Sequence, residues 1–226
     1  MKIISWNIGN FIWAKHLPGR KHYAFHREDI DHVCDYIKAE SADIVFLQEV
    51  DIADIDFIKS HFDEFKYSFV IQMKEELSAS LFMSTYPIKD IKHSKSHDYV
   101  INGITFFPIH LYAFSPSIRK AQIKELLSDL PKQNGVILGD TNFWILQDIF
   151  LASEDKRTYR EITKDHDDIL KNLGSTCRIF LSLDKIFTTK DLTSSQEKIV
   201  KHRINHIDHF MITATIEKKN SQYYLP

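Results

Sequence analysis

Short apolar runs alternate along the chain with amphipathic segments, and this pattern predicts the secondary structure. Eight runs rich in β-branched and aromatic residues are expected to be strands: KIISWNI, DIVFLQEV, KYSFVIQ, ASLFMS, GITFFPIHL, GVILGD, LDKIF and FMITATI. Asn102-Gly103 lies in HDYVINGITFFPI, between two β-rich runs. This dipeptide is typical of a type I′ hairpin turn, because both central residues of that turn need a positive φ.

Two other segments have apolar residues at helical spacing, and each predicts a helix. The first segment contains Ile30, Val33, Cys34 and Ile37, and the second contains Ile123, Leu126, Leu127 and Leu130. Ser115-Pro116 is expected to begin the second helix and Pro131 to end it. A third helix is expected from about Asp51 to Phe62. Many strands with few helices, in mixed order, predict an α/β layered fold with a largely antiparallel core.

Composition supports one globular domain over residues 1–226, because 43% of the residues are hydrophobic and the chain is long enough to bury a large core. The 29 basic and 31 acidic residues nearly cancel, so any polyanion must meet a local basic patch. Two cysteines do not form a disulfide framework. The start MKIISWNIGN lacks a secretory signal, so a cytoplasmic location is expected. A monomer is also expected. No apolar run reaches the ~20 residues of a transmembrane helix.

Polar side chains stand at the ends of five predicted strands. They are Asn7, Gln48-Glu49, His110, Asp140 with Asn142, and Asp208-His209. Any one of them has an ordinary alternative: GDTN is a common loop sequence, and Asn7 or Gln48 suits a strand-end cap. Carboxylate and amide oxygens suit Mg²⁺ or Mn²⁺ rather than zinc, while the two histidines titrate near neutrality. Together these groups are the parts needed for metal-assisted hydrolysis of a phosphate ester.

The ordered set of these residues resembles the endonuclease/exonuclease/phosphatase superfamily, which has the deoxyribonuclease I-like fold. The resemblance runs from Asn7 to His209 and includes Asp184 in SLDKIF. It implies a four-layer αββα sandwich whose site lies at one edge of two packed sheets and holds a divalent cation, Mg²⁺ or Mn²⁺. The sequences GDTN and LDKIF, with Thr176-Cys177-Arg178 before the latter, are most similar to the tyrosyl-DNA phosphodiesterase branch, while HLYAFSPSIRKAQ is also similar to the deadenylases.

The resemblance also implies a role for each matching residue. Glu49 is expected to be the principal metal ligand, with Asn7 beside it and Asp208 near the metal or a second metal position. Asp140 would orient or deprotonate the attacking water, and Asn142 would donate to the phosphate.

The histidines receive roles in the same way. His209 would be the base or the group that polarises the phosphate, held by Asp184, since a carboxylate fixes the imidazole tautomer. His110 would contact the phosphate or protonate the leaving group. Its acidic partner stays open, because the matching strand offers Ser78, with Glu75 and Glu76 slightly upstream. The family usually has Ser immediately before Asp-His, where this chain has Ile207, so one hydroxyl is missing.

Substrate contacts are predicted on both sides of this set. The segment AKHLPGRKHYAFHR contains Arg20 and Lys21 with interleaved aromatic residues, and it would either follow a phosphodiester backbone or form a solvated loop. Phe143 and Trp144 would either line a substrate channel or anchor the next helix. A competing interpretation has His202, His206 and His209 bind zinc.

These observations predict a Mg²⁺-dependent phosphodiesterase that acts on nucleic acid or a nucleic-acid adduct by in-line attack of water. A small phosphoester is another possible substrate. The alternatives are a phospholipid or inositol-phosphate hydrolase of the same fold and a non-catalytic binding scaffold. The scaffold predicts lost ligands, whereas this chain retains the whole set.

Overall fold

The computed structural model describes residues 1–9, 27–72, 78–92, 97–146, 149–204 and 207–219. Its elements, in chain order, are β1 (Lys2–Asn7), α1 (Arg27–Glu40), β2 (Ile44–Asp51), α2 (Ile55–Ser60), β3 (Tyr67–Gln72), β4 (Ser78–Ser84), β5 (Lys89–Lys92), β6 (His97–Ile101), β7 (Ile104–His110), α3 (Pro116–Leu126), β8 (Gly135–Asp140), β9 (Ile145–Leu146), β10 (Ile149–Phe150), α4 (Ser153–Ile162), β11 (His166–Asp168), β12 (Asp184–Thr189), β13 (Leu192–Val200) and β14 (Met211–Lys218). A 3₁₀ turn, Ile52–Asp54, precedes α2.

Two six-stranded sheets form the centre of the fold. The first sheet has the order β13-β14-β1-β2-β4-β3, and the second has the order β11-β12-β8-β7-β6-β5. Each sheet contains one parallel pair, β1 with β2 and β7 with β8, and its other neighbours are antiparallel. β9 and β10 form a separate two-stranded ribbon. The predicted α/β fold with a largely antiparallel core is therefore confirmed.

Three apolar clusters show that these elements form four layers. Ile4 and Trp6 of β1 pack outward against the apolar face of α1 and α2, while Ile3 packs between the sheets against residues of the second sheet. Phe107 and Ile137, on the outer face of the second sheet, pack with residues of α3 and α4. This α-β-β-α arrangement confirms the predicted four-layer sandwich. Every helix within the described residues is too short or too polar to cross a bilayer.

The eight predicted strands and the first two predicted helices are all present. Asn102 and Gly103 have φ values of 51° and 74° between the paired ends of β6 and β7, as the hairpin prediction requires. Ser115 caps α3 by accepting from Ile118 N at 3.4 Å. α3 ends at Leu126, before the predicted stop at Pro131, and residues 127–129 form a turn. The predicted third helix is divided into the 3₁₀ turn and α2.

Candidate active site

Strand alternation brings three polar side chains to the space between the sheets. Asn7 lies on the same face of β1 as Ile3, and Asp140 lies on the same face of β8 as Leu138; both of these apolar residues belong to the inter-sheet core. Asp184 begins β12 directly opposite Asp140 in the antiparallel register. The three side chains are buried at one edge of the sandwich, where each strand leaves or enters its sheet.

Gly139, directly before Asp140, has a backbone conformation that requires glycine. A Cβ on Gly139 would lie 1.9 Å from Ile109 O, and the residue has a φ of 136°. Only glycine suits such a position, because any side chain would overlap the neighbouring strand. The glycine therefore permits this backbone conformation while β8 remains paired with β7 up to His110 and Asp140.

Glu49 reaches the same space through a bulge in β2. The register of β2 and β4 shifts between Leu47 and Val50, so Gln48 and Glu49 both lie opposite one residue, Ser80. Glu49 has a φ of 54°, a left-handed conformation that is uncommon for a residue with a side chain. Val50 packs with Leu47 in the outer core, although an unbroken strand would place Glu49 there. The bulge therefore directs the carboxylate of Glu49 toward the site.

Asn7 joins the two carboxylates that come from different sheets. Its Nδ2 donates to Glu49 Oε1 and to Asp140 Oδ2, both at 3.0 Å. Its Oδ1 accepts from Gly9 N at 2.9 Å. One amide thus holds Glu49 and Asp140 together, and Oδ1 retains one further lone pair.

His110 pairs with Glu49, which answers the question of its acidic partner. His110 Nε2 lies 3.3 Å from Glu49 Oε1, whereas Glu75 and Glu76 lie outside the described residues. Burial acts to raise the pKa of Glu49, but the hydrogen bond and charge of His110 lower it to about 2. Burial acts to lower the pKa of His110, but Glu49 and the more distant Asp140 raise it.

His209 lies between the two facing aspartates. Its Nδ1 donates to Asp184 Oδ2 at 2.9 Å, and its Nε2 lies 3.8 Å from Asp140 Oδ2. Burial acts to lower the pKa of His209, but the charges of Asp184 and Asp140 raise it well above its usual value. Burial, together with the charge of Asp184, raises the pKa of Asp140, although His209 opposes this.

Two residues that the sequence did not identify as supports of the site, Trp6 and His202, hold the backbone of His209. Trp6 Nε1 donates to His209 O at 3.0 Å, and His202 Nε2 lies 2.7 Å from the same oxygen. Ile204 N donates to His202 Nδ1, so both ring nitrogens of His202 have protein partners. This arrangement does not suit the competing zinc site. His206 lies outside the described residues.

The loop after β8 is fixed by its own polar residues. Asn142 N donates to Asp140 Oδ1 at 2.8 Å, and Asn142 Nδ2 donates to Leu111 O at 2.9 Å. Asn142 has a φ of 50°, which Asn tolerates better than most residues. Thr141 Oγ1 donates to Leu183 O at 2.6 Å, next to Asp184. GDTN is therefore a tightly held loop and also the place where Asp140 is presented, so the two interpretations of that sequence are compatible.

A cleft of about 550 Å³ opens above these groups. Its polar lining residues, called the polar side below, are Asn7, Glu49, Asp140, Asn142, Asp208 and His209. Its apolar lining residues, called the apolar wall below, are Ala113, Phe114, Trp144, Leu151, Ile179, Leu181 and Leu183.

The predicted substrate contacts have different outcomes in this cleft. Trp144 is half-buried and lines it, as one of the two predictions for that residue required. Phe143 is completely buried in the core under α3 and α4, so the prediction that it contacts substrate is wrong; its ring is an anchor for these helices. Asp208 is exposed at the polar side of the cleft. Arg20 and Lys21 lie outside the described residues.

The donor groups fit a hard divalent cation. One ligand atom each from Glu49, His110 and Asp140 lies within 4.8 Å of the other two, and Asp140, Asp184 and His209 form a second such group. Carboxylate oxygens dominate both groups, which suits Mg²⁺ or Mn²⁺. A carbon at the Cβ position of Gly9 would lie 3.5 Å from Asp208 Oδ1 and 3.9 Å from Asn7 Oδ1, so these two oxygens border the same small gap.

Solved structures with the same fold include an endonuclease and a protein bound to a DNA product. TDP2 from D. rerio in complex with a single-strand DNA product is 16% identical, with a TM-score of 0.69 over 96% of this chain and 99% of that chain. An AP endonuclease from Archaeoglobus fulgidus is 15% identical, with a TM-score of 0.67 over 96% and 99%. An endonuclease/exonuclease/phosphatase from Bacteroides vulgatus is 16% identical, with a TM-score of 0.69 over 96% and 98%.

Sequence comparison gives the family directly. No curated protein sequence matches the chain. The model of the Endonuclease/Exonuclease/phosphatase family matches residues 4–214, which include every polar residue of the site. The match extends over most of the chain, and the fold agrees with it. The chain belongs to the Endonuclease/Exonuclease/phosphatase family.

Proposed function

We propose that the protein is a Mg²⁺-dependent phosphodiesterase that acts on nucleic acid or a nucleic-acid adduct. Family membership supports the coarser statement, an enzyme that hydrolyses phosphate esters. The observation that carries the proposal is the meeting of Glu49 from one sheet with His110 and Asp140 from the other, within 4.8 Å and below an open cleft. A binding scaffold would have no need for so many buried titratable groups at one edge.

Glu49 would be the principal ligand of the cation, with Asn7 Oδ1 and Asp208 as further oxygen ligands. The bound cation would supply Lewis-acid polarisation of a phosphate oxygen. The strained conformation of Glu49 supports this role, because strain of this kind is retained where a functional group must be directed. With its pKa lowered to about 2, Glu49 is a carboxylate at any pH near neutrality.

Asp140 would orient the attacking water and accept its proton. Its Oδ1 is held by Asn142 N and its Oδ2 by Asn7 Nδ2, so the carboxylate cannot rotate freely. Burial raises its pKa and makes it a better proton acceptor than an exposed aspartate. The second hydrogen of Asn142 Nδ2, beyond the one given to Leu111 O, would donate to the phosphate.

His209 would stabilise charge on the phosphate as an imidazolium. Asp184 accepts from Nδ1 and raises the pKa, which favours the protonated ring over a general base. The remaining nitrogen, Nε2, lies on the Asp140 side, where a phosphate oxygen would lie next to the attacking water. His110, paired with Glu49, would contact the phosphate or protonate the leaving group.

The nature of the substrate is supported by the cleft and by the relatives of the fold. Trp144 and the exposed Phe114 offer aromatic surfaces on which an unpaired base can stack. The D. rerio structure contains a single-strand DNA product. The same apolar wall also suits a lipid or another small phosphoester, which makes a phospholipid hydrolase the second candidate.

The test is hydrolysis by the purified protein with Mg²⁺, with Mn²⁺ or with EDTA. The substrates are single-stranded DNA, duplex DNA, RNA, a 5′-phosphotyrosyl oligonucleotide and sphingomyelin vesicles. We expect metal-dependent cleavage of one nucleic-acid substrate and its loss in Asp140→Asn.

Cleavage of sphingomyelin alone would retain the chemistry and reject the nucleic-acid substrate. Cleavage that persists in EDTA would reject the metal. An inactive protein that still binds these substrates would favour a scaffold.

A further inference from the structure

A buried ion pair joins α3 to α4 behind the apolar wall. Neither Arg119 nor Asp155 has an exposed side-chain surface. Arg119 Nη2 donates to Asp155 Oδ2 at 2.6 Å, and Nε donates to Oδ1 at 2.9 Å. Such a two-point pair has a fixed geometry, and a charge left without its partner in this environment would be very unfavourable.

The remaining guanidinium nitrogen of Arg119 holds the segment that follows β7. Its Nη1 donates to Tyr112 O at 3.0 Å and to Ala113 O at 2.8 Å. From the next turn of α3, Gln122 Oε1 accepts from Tyr112 N at 2.9 Å. Helix α3 therefore fixes the backbone between His110, in the polar site, and the first residues of the apolar wall.

Asp155 holds a second segment of the wall. Its Oδ2 also accepts from Trp144 N at 3.4 Å, and the guanidinium carbon of Arg119 lies 5.8 Å from the centroid of the Trp144 ring. Trp144 O in turn accepts from Leu151 N at 2.8 Å. The ion pair thus contacts two of the three segments that carry the wall, the one with Ala113 and Phe114 and the one with Trp144, although neither of its residues lines the cleft.

We infer that the Arg119–Asp155 pair positions the substrate by holding one part of the apolar wall, formed by Ala113, Phe114, Trp144 and Leu151, at a fixed distance from the catalytic groups. The inference rests on the proposed function and adds to it two positioning residues that set affinity for the group beside the scissile phosphate. The planar fork is essential, because one Lys nitrogen cannot reach Asp155 and both carbonyl oxygens.

Three variants test the pair. Arg119→Met with Asp155→Leu removes both charges together and leaves neither one buried alone. Arg119→Lys keeps the charges balanced but removes the fork. The matched control is Ser117→Ala with Glu154→Ala, because Ser117 Oγ donates to Glu154 Oε2 at 3.1 Å between the same two helices and neither residue lines the cleft.

The first measurement does not depend on activity. Acrylamide quenching of Trp144 is obtained from the difference between each protein and the same protein carrying Trp144→Phe. We expect quenching of Trp144 to rise in the Arg119→Met/Asp155→Leu variant and in Arg119→Lys, and to stay at the wild-type value in the control. Unchanged quenching in both Arg119 variants, with each folded by circular dichroism, overturns the inference.

The second measurement separates binding from chemistry. With Mg²⁺ and bis(p-nitrophenyl) phosphate, we expect KM to rise about tenfold in the two Arg119 variants while kcat changes less than about threefold. A fall in kcat with unchanged KM, or an equal rise of KM in the control, overturns the inference.

The two measurements also separate this inference from the proposed function. A wild-type protein that hydrolyses no phosphodiester rejects the function and, with it, a role in substrate affinity. Normal hydrolysis together with unchanged quenching and unchanged KM rejects the positioning role alone.

Discussion

The two sides of the cleft are built in different ways. On the polar side, Glu49, Asp140 and His209 are held by hydrogen bonds at or beside the ends of strands from both sheets. On the apolar side, Phe114 and Ile179 are 55% and 62% exposed and lie on connecting segments. The polar groups are thus positioned by the strands of the two sheets, whereas Phe114 and Ile179 of the apolar wall lie on segments that connect the strands and helices.

This difference indicates which properties can change independently. Moving a polar group requires a change in strand register or sheet packing, which affects the whole core. Moving the part of the wall with Phe114 and Trp144 requires a change in two segments that contact the Arg119–Asp155 pair. We therefore expect substitutions on the polar side to affect the rate of chemistry and substitutions on the apolar side to affect substrate affinity.

The largest effect is expected for Asp140→Asn, which removes the proposed proton acceptor. We expect kcat to fall about 10³-fold. Stability should hold or increase, because burial disfavours the charged form of Asp140 and the like charge of Asp184 lies directly opposite, although His209 partly offsets both. Steady-state kinetics and a thermal melt measure the two effects.

Asp191→Asn is the control for Asp140→Asn, since Asp191 accepts from Asn134 N just beyond the other end of β12. A control that lost activity equally would mean that the loss reports general damage to the second sheet.

Asp184→Asn should have a smaller effect with a specific pH signature. We expect a loss of about 10- to 100-fold in kcat. The raised pKa of His209 keeps its imidazolium as pH rises, so activity is lost only when pH passes that raised value. Without the Asp184 carboxylate this pKa falls, and the basic limb of the pH–kcat profile should move to lower pH. A basic limb that did not move would exclude an imidazolium role for His209.

Trp144→Ala tests the apolar side directly. Truncation of a half-buried ring that lines the cleft should raise KM roughly tenfold and leave kcat nearly unchanged. Ile149→Ala is the matched control, because Ile149 is 67% exposed on the neighbouring β10 and is not part of the cleft lining. If Trp144→Ala lowered kcat as strongly as a polar-side variant, the division between the two sides would be wrong.

The smallest effect is expected far from the cleft, at Glu40. Its carboxylate accepts from Lys198 at 2.6 Å and from Lys2 at 2.9 Å. Burial acts to raise the pKa of Glu40, but the two lysines lower it below 4.5. The stabilisation that the two lysines give through the charged Glu40 is therefore present above pH 4.5, and it is lost as pH falls through the lowered pKa of Glu40. Glu40→Gln should cost at most about 1 kcal/mol of unfolding free energy at neutral pH, with unchanged activity.

The sequence predicts the polar side of the cleft much better than the apolar side. Asn7, His110 and Asp140 each end an apolar run, so the sequence indicates that each lies at a strand end, and the family resemblance predicts that they meet at one site. Phe143 and Trp144 are adjacent and chemically alike, yet only Trp144 lines the cleft. The direction of each ring depends on how the loop packs under α4, which no local pattern encodes.

Elements with weak apolar patterns were also not predicted from the sequence. α4 buries only Asp155, Thr158 and Ile162, and β13 is an edge strand with mainly polar residues. Arg119 is an ordinary charged residue in the sequence of a helix. Its burial depends on Asp155, 36 residues away, so the positioning pair becomes visible only in three dimensions.

The bulge at Glu49 has a consequence for insertions and deletions. Because side chains alternate along a strand, deletion of one residue within Gln48-Glu49 would restore a regular ladder between β2 and β4. Deletion of Glu49 would remove the left-handed residue and the proposed metal ligand together. The extra residue that interrupts the ladder is thus the same residue that would bind the cation.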